Sequence, residues 1–211
     1  MRTLLLAALL AAAPLAAAAD DVPASVPPAV ATVLGELAAS PDQPSAYKAS
    51  VDLHVRMRVF PFIRLTLHGD SWYKRPGLYR FVFRGVPLVA KAFSDMKYDL
   101  GDPARWPERY EIAFAPESTP AVPVLRLTPK SPVQVKALDV ALDPSHGRIL
   151  RATWFRNDGG TITLVQTYVP GLAGHAVVQK QVSTIHLPHM KAELEADYAN
   201  FALASDEEPA K

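Results

Sequence analysis

Residues 47–57 read YKASVDLHVRM. The odd positions carry Tyr47, Ala49, Val51, Leu53, Val55 and Met57, and the even positions carry Lys48, Ser50, Asp52, His54 and Arg56. Successive side chains of an extended chain point to opposite faces, so this order makes a β-strand with one face buried and the other in water. Wound as a helix, the same residues would spread both classes around the axis and leave no apolar stripe to bury.

The alternation continues downstream. Ile63, Leu65 and Leu67 interleave with Arg64, Thr66 and His68. After a Gly69-Asp70 turn signal, Ser71 to Lys74 continues extended, and Leu78 to Arg84 forms a further strand beyond the Pro76-Gly77 turn. More short strands are predicted over 96–100, 110–114, 124–127, 135–142, 149–155, 161–169 and 176–187. Hairpin signals lie at Pro144-Ser145-His146-Gly147 and Asn157-Asp158-Gly159-Gly160. Residues 87–93, PLVAKAF, fit one helical turn opened by Pro87. Residues 190–201 satisfy both a period of two and a helical spacing, and we read them as a strand. Upstream, Val30, Val33, Leu34 and Leu37 stand at i, i+3, i+4 and i+7, which predicts a short helix over 29–39, ended by PDQPS at 41–45. About ten strands at turn spacings of 8–15 residues, behind one short helix, make a curved antiparallel sheet or a barrel.

Composition agrees. The chain has 211 residues, with twenty prolines against ten glycines, which argues for short interrupted elements rather than long helices. No cysteine is present, so disulfides, thiolate metal sites and a cysteine nucleophile are excluded. A formal net charge of +1 argues against a nucleic-acid binder that works by bulk charge. Met1-Arg2 precedes an apolar run of Leu and Ala through Ala19, with Ala17 and Ala19 in small-x-small positions. This reads as a signal peptide over 1–19, cleaved after Ala19, followed by a proline-rich leader at 20–28. A single domain is expected over 29–203 and a polar tail over 204–211. No later apolar run reaches the length of a membrane span, so a soluble monomer in the periplasm is expected.

Several segments, in this order, resemble the lipoprotein-carrier superfamily of the bacterial periplasm. It includes the outer-membrane lipoprotein carrier, the outer-membrane lipoprotein receptor and the lipid-binding domain of the sigma-E regulator. The short helix before the first alternating strand is one such piece. A second is Trp72-Tyr73-Lys74-Arg75-Pro76-Gly77-Leu78-Tyr79-Arg80-Phe81, an aromatic strand that meets a basic-Pro-Gly turn and returns as an aromatic strand. Ser94-Asp95-Met96-Lys97-Tyr98-Asp99 follows. Further on come Leu125-Arg126-Leu127-Thr128-Pro129-Lys130, Leu138 to Asp143, Ile149-Leu150 and Asn157 to Thr163. The resemblance spans roughly residues 30–201. It implies a mainly β fold with short helices: an open, strongly curved antiparallel sheet, a half-barrel, with a helical lid over an apolar cavity for acyl chains.

On that reading the apolar strand faces supply the cavity: Leu53, Val55 and Met57; Phe81 and Phe83; Leu138, Val140 and Leu142; Trp154; Ile162 and Leu164. The alternative for the same residues is an ordinary filled core. From Lys48 to Arg84 there are eight basic residues and two acidic ones. Arg56, Arg58, Arg64, Arg75, Arg80 and Arg84 are the candidates for a basic patch that meets anionic head groups or an acidic partner; the alternative is a solvated outer face with local counter-charges.

The six histidines form no HExxH and no tract, and only His54 and His68 lie on neighbouring strands. No metal or other cofactor is expected. G-x-S-x-G, S-x-x-K and P-loop motifs are absent, and Asp139 and Asp143 fall on the solvent-facing parity of their strand. The expected function is therefore non-catalytic: a periplasmic protein that holds the acyl chains of a lipid or lipoprotein, for transport or sensing. An inner-membrane transporter or an outer-membrane receptor would be its protein partner. The alternative is a periplasmic interaction or regulatory module on the same fold, without lipid transport.

Overall fold

The computed structural model describes residues 26–204 apart from 40–41, 43, 60–61, 89–90 and 92–93. The expected signal peptide and most of the expected leader and tail lie outside the described residues, as does most of the expected turn at 87–93.

Helix α1 (Pro28–Ala39) leads into four strands: β1 (Ala46–Met57), β2 (Arg64–Lys74), β3 (Leu78–Arg84) and β4 (Asp95–Asp99). A link containing the one-turn helix α2 (Trp106–Arg109) connects to β5 (Tyr110–Phe114). Six longer strands follow: β6 (Val124–Pro129), β7 (Val135–Asp143), β8 (Arg148–Arg156), β9 (Thr161–Pro170), β10 (Ala176–Leu187) and β11 (Met190–Leu203). The ambiguous last segment is thus a strand, and among the described residues the strands number eleven. No helix among the described residues is long and apolar enough to cross a membrane.

All eleven strands join one antiparallel sheet in the order β4-β3-β2-β1-β11-β10-β9-β8-β7-β6-β5. Two meanders, β1–β4 and β5–β11, are sewn together where the first strand pairs with the last, with Val51 opposite Tyr198 and Leu53 opposite Ala196. Strands β4 and β5 follow one another in the chain yet form the two opposite edges, so the sheet is not closed.

The sheet is nonetheless strongly curled. In a flat sheet, strands five places apart lie about 24 Å from each other. Here the Gln166 side chain on β9 donates to the Tyr79 hydroxyl on β3 at 3.3 Å, and Gln181 on β10 reaches Tyr98 on β4 in the same way. An inward-facing glycine supports this curl. A Cβ at Gly69 would lie 2.3 Å from the Val82 carbonyl oxygen and 2.8 Å from a ring carbon of Phe83, so the Phe83 side chain occupies the room that a side chain at 69 would need.

Helix α1 covers the other half of the concave face. Its Val30, Leu34 and Leu37, joined by Trp106 of α2, pack on Ile112, Leu125, Leu127, Leu138, Val140, Leu142 and Ile149. One helical stripe and one strand parity thus bury each other, which is how both elements obtain most of their stability.

Candidate functional site

Strand parity places all eleven predicted cavity residues on the concave face, but in three different surroundings. Leu138, Val140 and Leu142 are buried beneath α1, with Trp154 half-buried at the margin of that cluster. There the core reading applies, because the helix fills the space a ligand would use. Leu53, Val55, Phe81 and Phe83 belong to a second cluster, with Val51, Leu67, Ala196 and Tyr198. Leu164 is buried on the same face, on β9.

The third surrounding is the rim. Met57 and Ile162 join Ile185 and Ala192, and the partly exposed Ile63, Leu187, Met190 and Leu194 pack against them. These residues sit where β1 turns into β2, β8 into β9 and β10 into β11, so they mark one end of the curled sheet. Inward-facing apolar side chains that still reach solvent define an apolar mouth at that end.

Below the mouth lies a polar belt. Gln166 and Gln181 are both buried, at 5% and 4% exposure, on the inward parity of otherwise apolar strands. Gln166 donates to Tyr79 and accepts from the Tyr168 hydroxyl at 2.9 Å. Gln181 donates to Tyr98 and accepts from Tyr198. Tyr47 and Tyr73 extend the aromatic row, their ring centroids 4.8 Å apart, and Tyr73 lies 4.8 Å from Tyr79. Burial pushes the hydroxyls of Tyr47, Tyr73, Tyr79, Tyr98 and Tyr198 above the ordinary tyrosine range. Gln166, Gln181, Tyr47, Tyr73, Tyr98 and Tyr198 were not among the sequence-predicted cavity residues. The signal for the belt was present, since a glutamine two residues from Leu164 and Tyr168 breaks an apolar inward row.

The structure divides the predicted basic patch. Arg80 is buried at 6% exposure and paired with Asp95, 3.2 Å between charged atoms. Arg84 pairs with Asp70, and Arg58 with Glu193. Half-buried Arg75 sits at the β2–β3 turn, at the opposite end of the sheet from Arg56, Arg58 and Arg64. A single continuous patch of six arginines is therefore not formed; most of the outer face is laced with ion pairs.

Two carboxylates also need correction or placement. Asp139 was expected in solvent, but its side chain is only 3% exposed. Its strand parity is outward as expected, yet Arg126 lies over it and donates twice, at 2.7 and 2.6 Å, while the same guanidinium stands 5.7 Å from the Phe155 ring centroid. Asp143 meets Ser145 and His146 in the β7–β8 turn. Burial raises its carboxyl, and the hydrogen bonds from Ser145 and His146 outweigh this and hold it below the usual range. Ser145 and Asp143 both address the same His146 nitrogen, so this trio closes a turn and does not form a relay from hydroxyl through imidazole to carboxylate. His54 contacts Thr66 and His68 contacts Asp52, so the two histidines do not converge. Among the described residues, no three His, Asp or Glu side chains gather as metal ligands.

The sequence matches no family model. Nor does any curated protein match it. Solved structures do match the fold. A domain described as an outer membrane lipoprotein-sorting protein from Vibrio parahaemolyticus superposes with a TM-score of 0.56 at 13% identity, covering 84% of this chain and 93% of that one. A LolA superfamily protein from Nitrosomonas europaea gives 0.55 at 11% identity, over 83% and 94%. A DUF1329 family protein from Desulfovibrio piger gives 0.53 at 12% identity, over 83% and 90%. The fold that the sequence resemblance implied, an open curved antiparallel sheet of the lipoprotein-carrier type, is the fold of this chain.

Proposed function

We propose that this is an exported, monomeric, single-domain binding protein that holds acyl chains of a lipid or lipoprotein on its concave face. It acts in transport or sensing, without a cofactor and without catalysis. The observation that carries this reading is the apolar mouth: Ile63, Ile162, Leu187, Met190 and Leu194 are partly open to solvent at one end of a curled sheet whose inner wall continues as Leu53, Val55, Phe81 and Phe83. A hydrocarbon chain entering there is removed from water at about 0.8 kcal/mol per CH₂, partly offset by lost chain freedom. The likeness of fold to a lipoprotein-sorting domain supports the same assignment. An inner-membrane transporter that loads the protein, or an outer-membrane receptor that unloads it, fits this role.

A second reading has its own supporting observation. The wall residues Leu53, Val55, Phe81 and Phe83 are all buried against one another, as in a filled core. A protein-interaction module on the same fold would look like this and would take up no hydrocarbon.

Titration with a dansylated fatty acid separates the two. The parent protein should enhance the probe's fluorescence saturably, and Ile162→Asp and Leu194→Asp should weaken binding at least tenfold while the far-ultraviolet β signature persists. Both side chains are partly exposed, so a charge there stays hydrated. Absence of probe binding by the folded parent protein, or full affinity in both variants, would overturn the lipid-binding reading.

A further inference from the structure

The outer side of the same mouth gathers several exposed cations with few carboxylates among them. Elsewhere on the outer face most strand cations are matched, among them Arg80 with Asp95, Arg84 with Asp70, and Lys180 with Glu195 and Asp197, while exposed Lys48 on β1 stands alone among the described residues. At the mouth the matching lapses. Arg56 on β1 and Arg64 on β2 are direct cross-strand partners, and both are exposed. Like charges in that relation repel, and a folded chain tolerates them only at a cost. The carboxylate that faces Arg56 across the other edge of β1 is Glu193, but Glu193 is taken by Arg58. Lys191, exposed on β11, lies beside this group, and its carbonyl accepts the Arg58 backbone N–H at 2.8 Å. Arg56, Arg58, Arg64 and Lys191 thus share one carboxylate, and among the described residues neither Arg56 nor Arg64 has an acidic partner.

Between Arg58 and Arg64 the chain carries Phe62, 76% exposed. A single exposed phenylalanine is unremarkable by itself. Here it is bracketed by cations, and the next residue, Ile63, turns inward to the apolar rim. We propose that this end of the molecule docks on an anionic bilayer surface, with Arg56, Arg64 and Lys191 at the head groups and Phe62 in the interfacial region. Cations on one side and an aromatic ring at the tip match the layered chemistry of a membrane surface, where phosphates overlie hydrocarbon. An acidic protein would satisfy the cations but offers no reason for the bare ring. The inference deepens the lipid-binding reading and rests on it for its purpose: docking this end brings the apolar mouth against the hydrocarbon, so that a chain passes between bilayer and protein with little exposure to water.

The test is partition of the purified protein onto vesicles of phosphatidylcholine alone and onto vesicles in which about a third of the lipid is phosphatidylglycerol. Binding should favour the anionic vesicles. Each of Arg56→Ser and Arg64→Ser should weaken it about fivefold, the factor corresponding to ~1 kcal/mol per basic side chain near the surface. Phe62→Ser should weaken it as well, and salt near 1 M, where the Debye length is about 3 Å, should remove most of it. Dansyl fatty-acid affinity measured without vesicles should be unchanged in all three variants. Equal partition onto both vesicle types, no partition onto either, or parent-like partition of the variants overturns the proposal. Failure on vesicles together with Arg56- and Arg64-dependent retention on immobilised polyglutamate would transfer the surface to an acidic protein. Loss of fatty-acid binding with vesicle partition intact would instead remove the lipid-cavity reading and leave the docking surface standing.

Discussion

At the residue scale, the interior is decided by whether buried polar atoms find partners. Gln181 is the sharpest case. Its amide nitrogen serves Tyr98 and its amide oxygen serves Tyr198, so one side chain satisfies two hydroxyls contributed by strands β4 and β11. Replacing it with Leu keeps the volume and strands both hydroxyls. An unsatisfied buried polar group costs about 1–3 kcal/mol, so Gln181→Leu should lower the free energy of unfolding by roughly 2–5 kcal/mol. The triple variant Gln181→Leu, Tyr98→Phe, Tyr198→Phe removes the stranded groups with their partner and should recover much of the loss. Urea unfolding of the single and triple variants measures this directly; equal destabilisation in both would mean that the loss is one of shape rather than of hydrogen bonding. The sequence made the inward position of Gln181 readable from strand parity, but not its role. Its partner Tyr98 is 83 residues away, and no local pattern encodes which distant hydroxyl a curled sheet will bring to it.

At the element scale, local periodicity was a good guide to where strands lie, although β2 runs unbroken through the Gly69-Asp70 turn signal, and long-range packing was not legible from it. The bounds expected for the strands at 78–84, 110–114 and 176–187 are those found. The 190–201 segment was ambiguous because its spacing fits two periods. Its pairing with β1 decides the matter, since that contact supplies the ladder partners a helix would forgo. The division of the concave face was hidden for a related reason. Leu138, Val140 and Leu142 read the same as Leu53 and Val55 in sequence, and only the position of α1 makes the first three a covered core. This division is testable. Leu34 on α1 is 7% exposed, and Leu34→Ala should cost about 2–5 kcal/mol, a fall in Tm of about 2–4 °C per kcal/mol for a domain of this size. Affinity for the dansyl fatty acid at a temperature where the variant is folded should stay close to the parent's, because the mouth lies on the other strands. A large affinity loss with little change in Tm would show that α1 guards the ligand rather than the core.

At the scale of the whole molecule, the curl of the sheet and the ionisation of its tyrosines are one problem. The open edges β4 and β5 leave the sheet free to flatten, and what opposes this across the concave face includes the contacts of Tyr79 with Gln166 and Tyr98 with Gln181. In both the amide donates to the tyrosine oxygen, so what keeps these hydroxyls neutral is burial and not the hydrogen bond. Burial is the first cause that raises Tyr47, Tyr73, Tyr79, Tyr98 and Tyr198, with repulsion among neighbouring tyrosines adding to it for the last four. The sign of the consequence follows from proton counts. An unfolded tyrosine loses its proton near pH 10, whereas these five keep theirs to higher pH in the folded chain. Above about pH 10 the folded state therefore binds more protons than the unfolded state, and stability falls as pH rises. Below that pH both states are neutral at these positions and the contribution is constant. The protein should hold a flat stability plateau with respect to these groups through neutral pH and then unfold cooperatively in alkali. Tyrosinate absorbance should lag behind that of free tyrosine until the circular dichroism signal collapses, and then rise in one step. A gradual titration of all seven tyrosines near pH 10, with the β-sheet signal intact, would mean that water reaches the belt in the folded state and that the curled sheet opens without unfolding.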